Sequence, residues 1–599
     1  MGCFSMNVLR LSLLLGNIFF FLSGCTDKRD LSKNIVLAHI TSEPDDLHPT
    51  NGNSANRTYV FQYTQKRLIR PDLITLEMIP ELVESLPEIS DDGLRYTYTL
   101  KKGVTWDDGS PLTLEDVIFT LKMIKCPLTD NAAIRSYFNR IETISTYPDE
   151  PRKFTMVCND IYYANPIIWA TDIYILQKSH WDPNNIMGSI SIKELNDPAF
   201  NADDHPGLAN FIAAFNEGSN GRDPDKLVGL GPYKVTEWNL GNSIVLERKK
   251  NWWGDISDFL YNANEPEKII FKIIKNDASA GLALKMEKLD VTTYLGTNEL
   301  LKLQERDYFN ETYHSEFVDM YGYTYLGMNT RPDGVEHKPF FTDKRVRRAM
   351  AHLIPLKEII EIIVKGKAAR QPSMVSPLKP SFNDTLEPIK QDIEKAKSLL
   401  DKAGWKDTDG DNVRDFKFNG EKLAFRFNLS YISSPTSKEI VLMIKDAMYQ
   451  AGIDVIPTPM DFAIFYKNAQ NHKFDMMMGA WSSPSGPDDP EQLWHTKNWA
   501  NKGFNFCGFG DAYSDSLIVE ANRTLDPEER KGIMRELQAL VYDEQPYIFM
   551  YSPKRKIAIH KRFDNNNMYV ERPGVILNNL KLKEKYKGSN SSKTADLFN

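Results

Sequence analysis

The sequence predicts an α/β protein of several domains, and three observations carry that expectation. The chain has 599 residues; at roughly 100–200 residues per domain, that leaves room for several domains and a large core. Hydrophobic residues make up 41% and charged residues 26%, the balance of a folded globular protein. Along the chain, short alternating runs rich in β-branched residues keep giving way to stretches with helical spacing.

The elements follow in order. Ile35–Ile40 reads as a first strand, and Glu43–Pro49, with two prolines and paired acids, as a loop. Arg95–Leu100 alternates polar and apolar residues and reads as a strand, followed by a turn at Asp107-Asp108-Gly109. Thr113 is placed to cap a helix over 114–124, with Glu115 and Asp116 in the first turn, where the helix dipole favours acids. Residues 186–226 are polar and rich in Asn, Asp and Gly, a surface insertion with a helix around Leu208–Phe215. Tyr233–Trp238 and Ser243–Arg248 form a hairpin about Asn239–Asn242. Helices are expected over 345–354, over 393–404 with Asp392 as cap and Gly404 as stop, and over 438–451. Leu423–Leu429 and Ile453–Ile456 read as strands. The Ser-, Asn- and Lys-rich stretch 587–599 reads as a disordered tail.

The N-terminus sets the compartment. Arg10 precedes an apolar run, Leu11–Leu22, that is too short for a bilayer, which takes about 20 residues. Leu22-Ser23-Gly24-Cys25 resembles a bacterial lipobox. The expectation is a signal peptide over 1–24 and lipidation at Cys25. A polar tether over 25–33 would hold the protein extracytoplasmically, in the periplasm or at the cell surface.

Composition also excludes. The 73 basic and 81 acidic residues leave a formal net charge of −8, which gives no electrostatic footprint for nucleic acid. Five cysteines without a Cys-x-x-Cys argue against a zinc ribbon or a thioredoxin-like site. His-Glu-x-x-His, Gly-x-Ser-x-Gly and the phosphate-cradling glycine loops are missing. Asp407–Asn412 begins like a calcium loop, but Asn412 stands at the glycine position and Phe418 at the twelfth. The alternative to a binding protein is a membrane-anchored hydrolase with a glycosidase-like carboxylate pair, although nothing singles out a pair.

Six segments in order resemble the solute-binding proteins of the oligopeptide, dipeptide and nickel ABC importers. They are Leu100–Thr120, with its Trp106, Asp108-Gly109 and Pro111-Leu112-Thr113; Gly229–Lys234 with Trp253-Gly254; Tyr325–Asn329 with Phe341–Met350; Asp392–Gly404; Phe474–Trp481; and Asn505-Phe506 with Asp515 and Pro546. The resemblance implies a two-lobed periplasmic-binding-protein fold with an additional subdomain on the first lobe and a hinge-closing cleft. It implies a first lobe over 34–60, 220–315 and 540–586, the additional subdomain over 61–219 and a second lobe over 316–539. It implies a monomer that captures a peptide or other small solute for an ABC permease, with no catalysis and no cofactor.

In peptide-binding relatives, the stretch that here is Gly479-Ala480-Trp481 carries the ligand's main-chain partners, and an aspartate three residues after the tryptophan meets its α-amino group. Here that position is Pro484. Asp488 and Asp489 stand further along the loop, either as substitutes or as caps for a helix beginning near Pro490. Tyr323 and Tyr325, on the strand entering the second lobe, are further candidates for the cleft wall; their alternative is the core face of that strand.

Overall fold

The computed structural model describes residues 29–51, 54–131, 135–166, 173–483 and 485–587. The expected signal peptide, Cys25, Pro484 and the tail from 588 lie outside the described residues.

Two large sheets organise the molecule. The first has seven strands, in the order Tyr313–Val318, Arg555–His560, Val291–Thr292, Ile35–Ile40, Lys268–Ile273, Ser243–Arg248 and Tyr233–Asn239. Ile35–Ile40 lies parallel to Lys268–Ile273, in which Ile269, Phe271 and Ile273 turn inward while Lys268, Ile270 and Lys272 stay nearer solvent. The expected hairpin closes this sheet. Its inner strands are tied by charge. Asp290 and Arg562, both with fully buried side chains, pair at 2.8 Å, and Arg29 adds a second cation at 2.6 Å. Burial alone would raise the Asp290 carboxyl, but the Arg29 and Arg562 charges prevail and hold it at about 2.

The second sheet has six strands: Ala368–Arg370, Tyr547–Pro553, Gly322–Met328, Met476–Ser482, Arg426–Ile432 and Asp454–Met460. The last runs parallel to Arg426–Ile432 at the sheet edge and carries Pro457 and Pro459, residues that an edge strand tolerates. Helices Lys344–Leu353, Ile393–Lys402 and Pro435–Tyr449 bury Val346, Met350, Leu400 and Ile444 against one face. Helices Ala512–Arg523 and Pro527–Glu544 bury Ile518, Met534 and Leu537 on the other.

A third body is a four-stranded antiparallel sheet, Glu88–Ile89, Arg95–Thr99, Lys153–Cys158 and Ile141–Thr146, covered by helix Leu114–Lys125. Asp116 is buried at that helix start. It accepts from the Thr113 and Lys178 amides and, at 3.4 Å, from Trp106 Nε1. Asp108 receives Ser110, and Gly109 takes φ +82°. The Trp-Asp-Gly signature therefore shapes a turn and a helix start. The insertion's helix, Leu208–Phe215, packs beside Phe119 and Met123.

Two placements differ from the sequence reading. Leu423–Leu429 is not one strand: Glu421–Ala424 pairs in a small hairpin and Arg426–Ile432 joins the second sheet, with fully buried Phe425 between them. Tyr547–Pro553 belongs to the second sheet rather than to the first lobe, and the chain returns to the first sheet only at Arg555. Among the described strands the chain thus passes between the large sheets twice, through 319–321 and at Lys554. Lys554 Nζ meets Asp319 Oδ1 at 3.0 Å, joining the two passages.

Candidate ligand-binding site

The predicted residues gather along one strand pair and the loop that leaves it. Met476–Ser482 pairs antiparallel with Gly322–Met328, in the register Tyr323 to Trp481, Thr324 to Ala480 and Tyr325 to Gly479. Alternation sends Ala480 to an exposed face, while Gly479 is buried and Trp481 half-buried. The Trp481 ring lies parallel to Tyr325 at 6.4 Å, and Tyr325 stacks on Tyr547 at 4.0 Å. Phe504 and Phe506 flank Trp481 at 5.6 and 5.7 Å. Trp481 is thus one side of an aromatic block, held in place with its Nε1 3.4 Å from the Tyr547 hydroxyl. Gly479 makes room for this block: a Cβ there would lie 2.7 Å from the Tyr325 hydroxyl.

Tyr325 is 2% exposed and packs in the interior. Tyr323 is 4% exposed, edge-on to Phe549 at 5.2 Å, and its hydroxyl has no hydrogen-bond partner among the described residues. Burial pushes both phenols well above their ordinary value.

The two aspartates diverge. Asp488 Oδ1 accepts from Lys379 Nζ at 2.6 Å and from Ser483 Oγ at 2.8 Å. Asp489 Oδ1 accepts from the amide of Glu491, the first residue of the short helix Glu491–Trp494, at 2.8 Å. Its Oδ2 accepts from the Tyr162 hydroxyl at 2.6 Å. Tyr162 belongs to the four-stranded body, so Asp489 ties that body to the second sheet's loop. The same seam carries the Arg530 guanidinium 3.5 Å over the Tyr163 ring, Arg523 to Asp160 at 3.0 Å, and the Tyr163 amide donating to the Asn522 carbonyl.

Sequence reasoning missed Lys379, Tyr162, Tyr163 and Arg530. Lys379 lies in the proline-flanked stretch Ser376-Pro-Leu-Lys-Pro380; its partner is 109 positions away, and no local pattern announces such a contact. The other candidates lead elsewhere. Asp407, Asp409 and Asp415 bring carboxylate oxygens within 4.8 Å of one another. Lys422 and Thr408, with the amides of Gly410 and Asn412, already engage them. Cys126, Cys158 and Cys507 are buried and unpaired.

Two mixed sheets joined by a double passage, with a third body reaching across to a loop at the end of an aromatic-lined strand, define a two-lobed solute-binding protein. The chain belongs to the bacterial extracellular solute-binding proteins, family 5, whose model matches residues 77–504. Proteins of this type bind solutes and are not enzymes. The chain is 25% identical over 497 residues to the oligopeptide-binding protein AppA of Bacillus subtilis, covering 82% of this chain and 81% of that one. It is 24% identical over 479 residues to the nickel-binding periplasmic protein of Escherichia coli, covering 79% and 80%. Its fold superimposes on AppA in complex with a nonapeptide with a TM-score of 0.70 at 21% identity, covering 93% of this chain and all of that one. NikA of Brucella suis in complex with Fe(III)-EDTA gives 0.71 at 18% identity, covering 92% and 100%. No helix among the described residues is long and apolar enough to cross a membrane.

Proposed function

We propose that this chain is the ligand-capturing component of an ABC importer. It binds an oligopeptide-like molecule outside the cytoplasmic membrane, encloses it by hinge closure and hands it to the permease. The observation that carries the reading is the stretch 479–489: a strand end beside an aromatic block, continuing into a loop that touches a second body. Such a strand end suits an extended ligand. Main-chain pairing gives affinity whatever the side chains are, and hydrated pockets accept varied residues at little cost. Relatives described as oligopeptide-, dipeptide- and di/tripeptide-binding support the same class of ligand.

We place the first lobe at 34–60 and 220–315 with the return after Lys554, its additional subdomain at 61–219, and the second lobe at 316–553. The protein acts as a monomer held by a lipid on Cys25 through the tether 25–33. The ATP chemistry belongs to the importer, since no phosphate-cradling motif is present in the sequence.

Native mass spectrometry of the freshly purified full chain tests the reading. The expected spectrum shows one peptide-sized molecule per protein, released unchanged on denaturation. A bound species that is steadily converted to product, or a protein that retains no peptide from a complex mixture, would overturn it.

A further inference from the structure

The loop that follows Trp481 carries polar atoms that the fold leaves unused. Asp488 is engaged through one oxygen alone; Oδ2 has no partner among the described residues. Neither has the Ser485 hydroxyl, nor that of Tyr323, which is 4% exposed. Tyr323 pairs in register with Trp481, and Ser483, two residues further on, donates to Asp488 Oδ1, so that strand position and this carboxylate belong to one strand end and its loop; the Asp488 charge is also among the causes that, after burial, raise the Tyr323 phenol. Buried polar atoms are satisfied almost without exception. Unpartnered ones on one strand end and the loop that leaves it mark where a further molecule supplies the missing half.

Lys379 determines the chemistry of that molecule. Its side chain is 2% exposed, and its ammonium has three acceptors: Asp488 Oδ1 at 2.6 Å, Ser483 Oγ at 2.7 Å and the Gly486 carbonyl at 3.0 Å. Three acceptors use all three protons. Lys379 therefore offers nothing to a ligand, yet it cancels the Asp488 charge from within. A ligand ammonium placed at Oδ2 would give up its water to meet a carboxylate already neutralised, with a second cation close by. The loss of hydration outweighs what attraction remains. An uncharged N–H gives up much less and satisfies Oδ2 equally well.

We infer that the ligand end received by Asp488 Oδ2 and Tyr323 is an uncharged amide, its N–H donating to the carboxylate and its carbonyl accepting from the phenol. The preferred ligands are then amino-blocked peptides, such as N-acylated ones, rather than peptides with a free α-amino group. This rests on the peptide-like reading of the ligand.

The test offers the purified full chain a mixture of randomised pentapeptides, each present with a free and with an acetylated amino terminus. Retained species are weighed by mass spectrometry. The wild type should keep acetylated members about tenfold over their free partners, the discrimination expected when one buried polar group is left mispaired. Lys379→Met exposes the Asp488 charge and should reverse the preference. Tyr323→Phe, a milder change, should weaken retention of acetylated members severalfold and leave free ones unchanged. Equal or better retention of free amines by the wild type, or no effect of Tyr323→Phe, overturns the inference while the peptide reading stands. Retention of neither kind removes the peptide reading, and this inference falls with it.

Discussion

The Tyr162 hydroxyl donates to Asp489 Oδ2 at 2.6 Å, a charged hydrogen bond in the seam between the four-stranded body and the loop of the second sheet. Its acceptor is held from behind by the Glu491 amide and by Asn522, so the carboxylate is already oriented when Tyr162 reaches it. A hydrogen bond to a charged group contributes about 1.5–3 kcal/mol, here to the joined arrangement of the two bodies rather than to either alone. Tyr162→Phe should therefore weaken ligand binding by about tenfold and leave the thermal midpoint within a few degrees. Calorimetric titration and a melting curve on the same preparation check both halves. A large fall in midpoint with unchanged affinity would show the bond to be merely structural.

Asp290 predicts a pH limit on stability. Its folded carboxyl sits at about 2, against an ordinary 3.8. A lowered value means that its stabilising effect is complete above about pH 4 and is lost as pH falls toward 2. The loss is on the order of 2 kcal/mol. Denaturant titrations between pH 5 and 2 should show that loss in the wild type. Asp290→Asn leaves Arg562 buried beside a neutral partner and should cost about 3–5 kcal/mol at neutral pH, with the acid limb flattened.

Gly479→Ala should destabilise the second sheet. The added Cβ meets the Tyr325 hydroxyl at 2.7 Å and its Cζ at 2.8 Å, and Tyr325 is locked against Tyr547 and Trp481. Overpacking of this kind costs about 1–3 kcal/mol. Tyr325→Phe in the same chain removes only the oxygen contact, so urea denaturation should show partial recovery. Full recovery would mean that the ring itself moves freely, contrary to its packing.

Cys25→Ser tests the anchor. If the lipobox resemblance holds, the substituted protein should leave the membrane fraction and lose the mass of its acyl chains, while ligand affinity is unchanged. Persistence of the variant in the membrane fraction would point to another attachment.

The elements legible in the sequence were those whose signal is local. Asp392 with Ile393, Ala396 and Leu400 gave a cap and an apolar stripe, and the helix Ile393–Lys402 formed there. Asn239–Asn242 between two alternating runs gave the hairpin. The break at Phe425 was hidden because alternation continues through it: a single residue separates the small hairpin from the large sheet. Tyr547–Pro553 was misplaced for a similar reason. Its pattern of buried residues is that of any central strand, and only pairing with Gly322–Met328 decides which sheet receives it. The candidate site was legible at Trp481 and the two aspartates through family resemblance alone. That Lys379 occupies Asp488, and that Tyr162 reaches Asp489, depends on contacts across 109 and 327 positions. Spacing along the chain carries no trace of them.

The pairing of Lys554 with Asp319 has a mechanical corollary. Because the two passages between the sheets run side by side and are pinned to each other, the halves resemble leaves of a door on one spindle rather than a ball in a socket. Twisting about the long axis would shear the Lys554–Asp319 contact and the Ser552 hydroxyl from the Met320 carbonyl, whereas the proposed closure leaves both in place. Under the proposed closure, each swing would return Tyr162 to the same spot opposite Asp489, and a bond of 2.6 Å would re-form without a search.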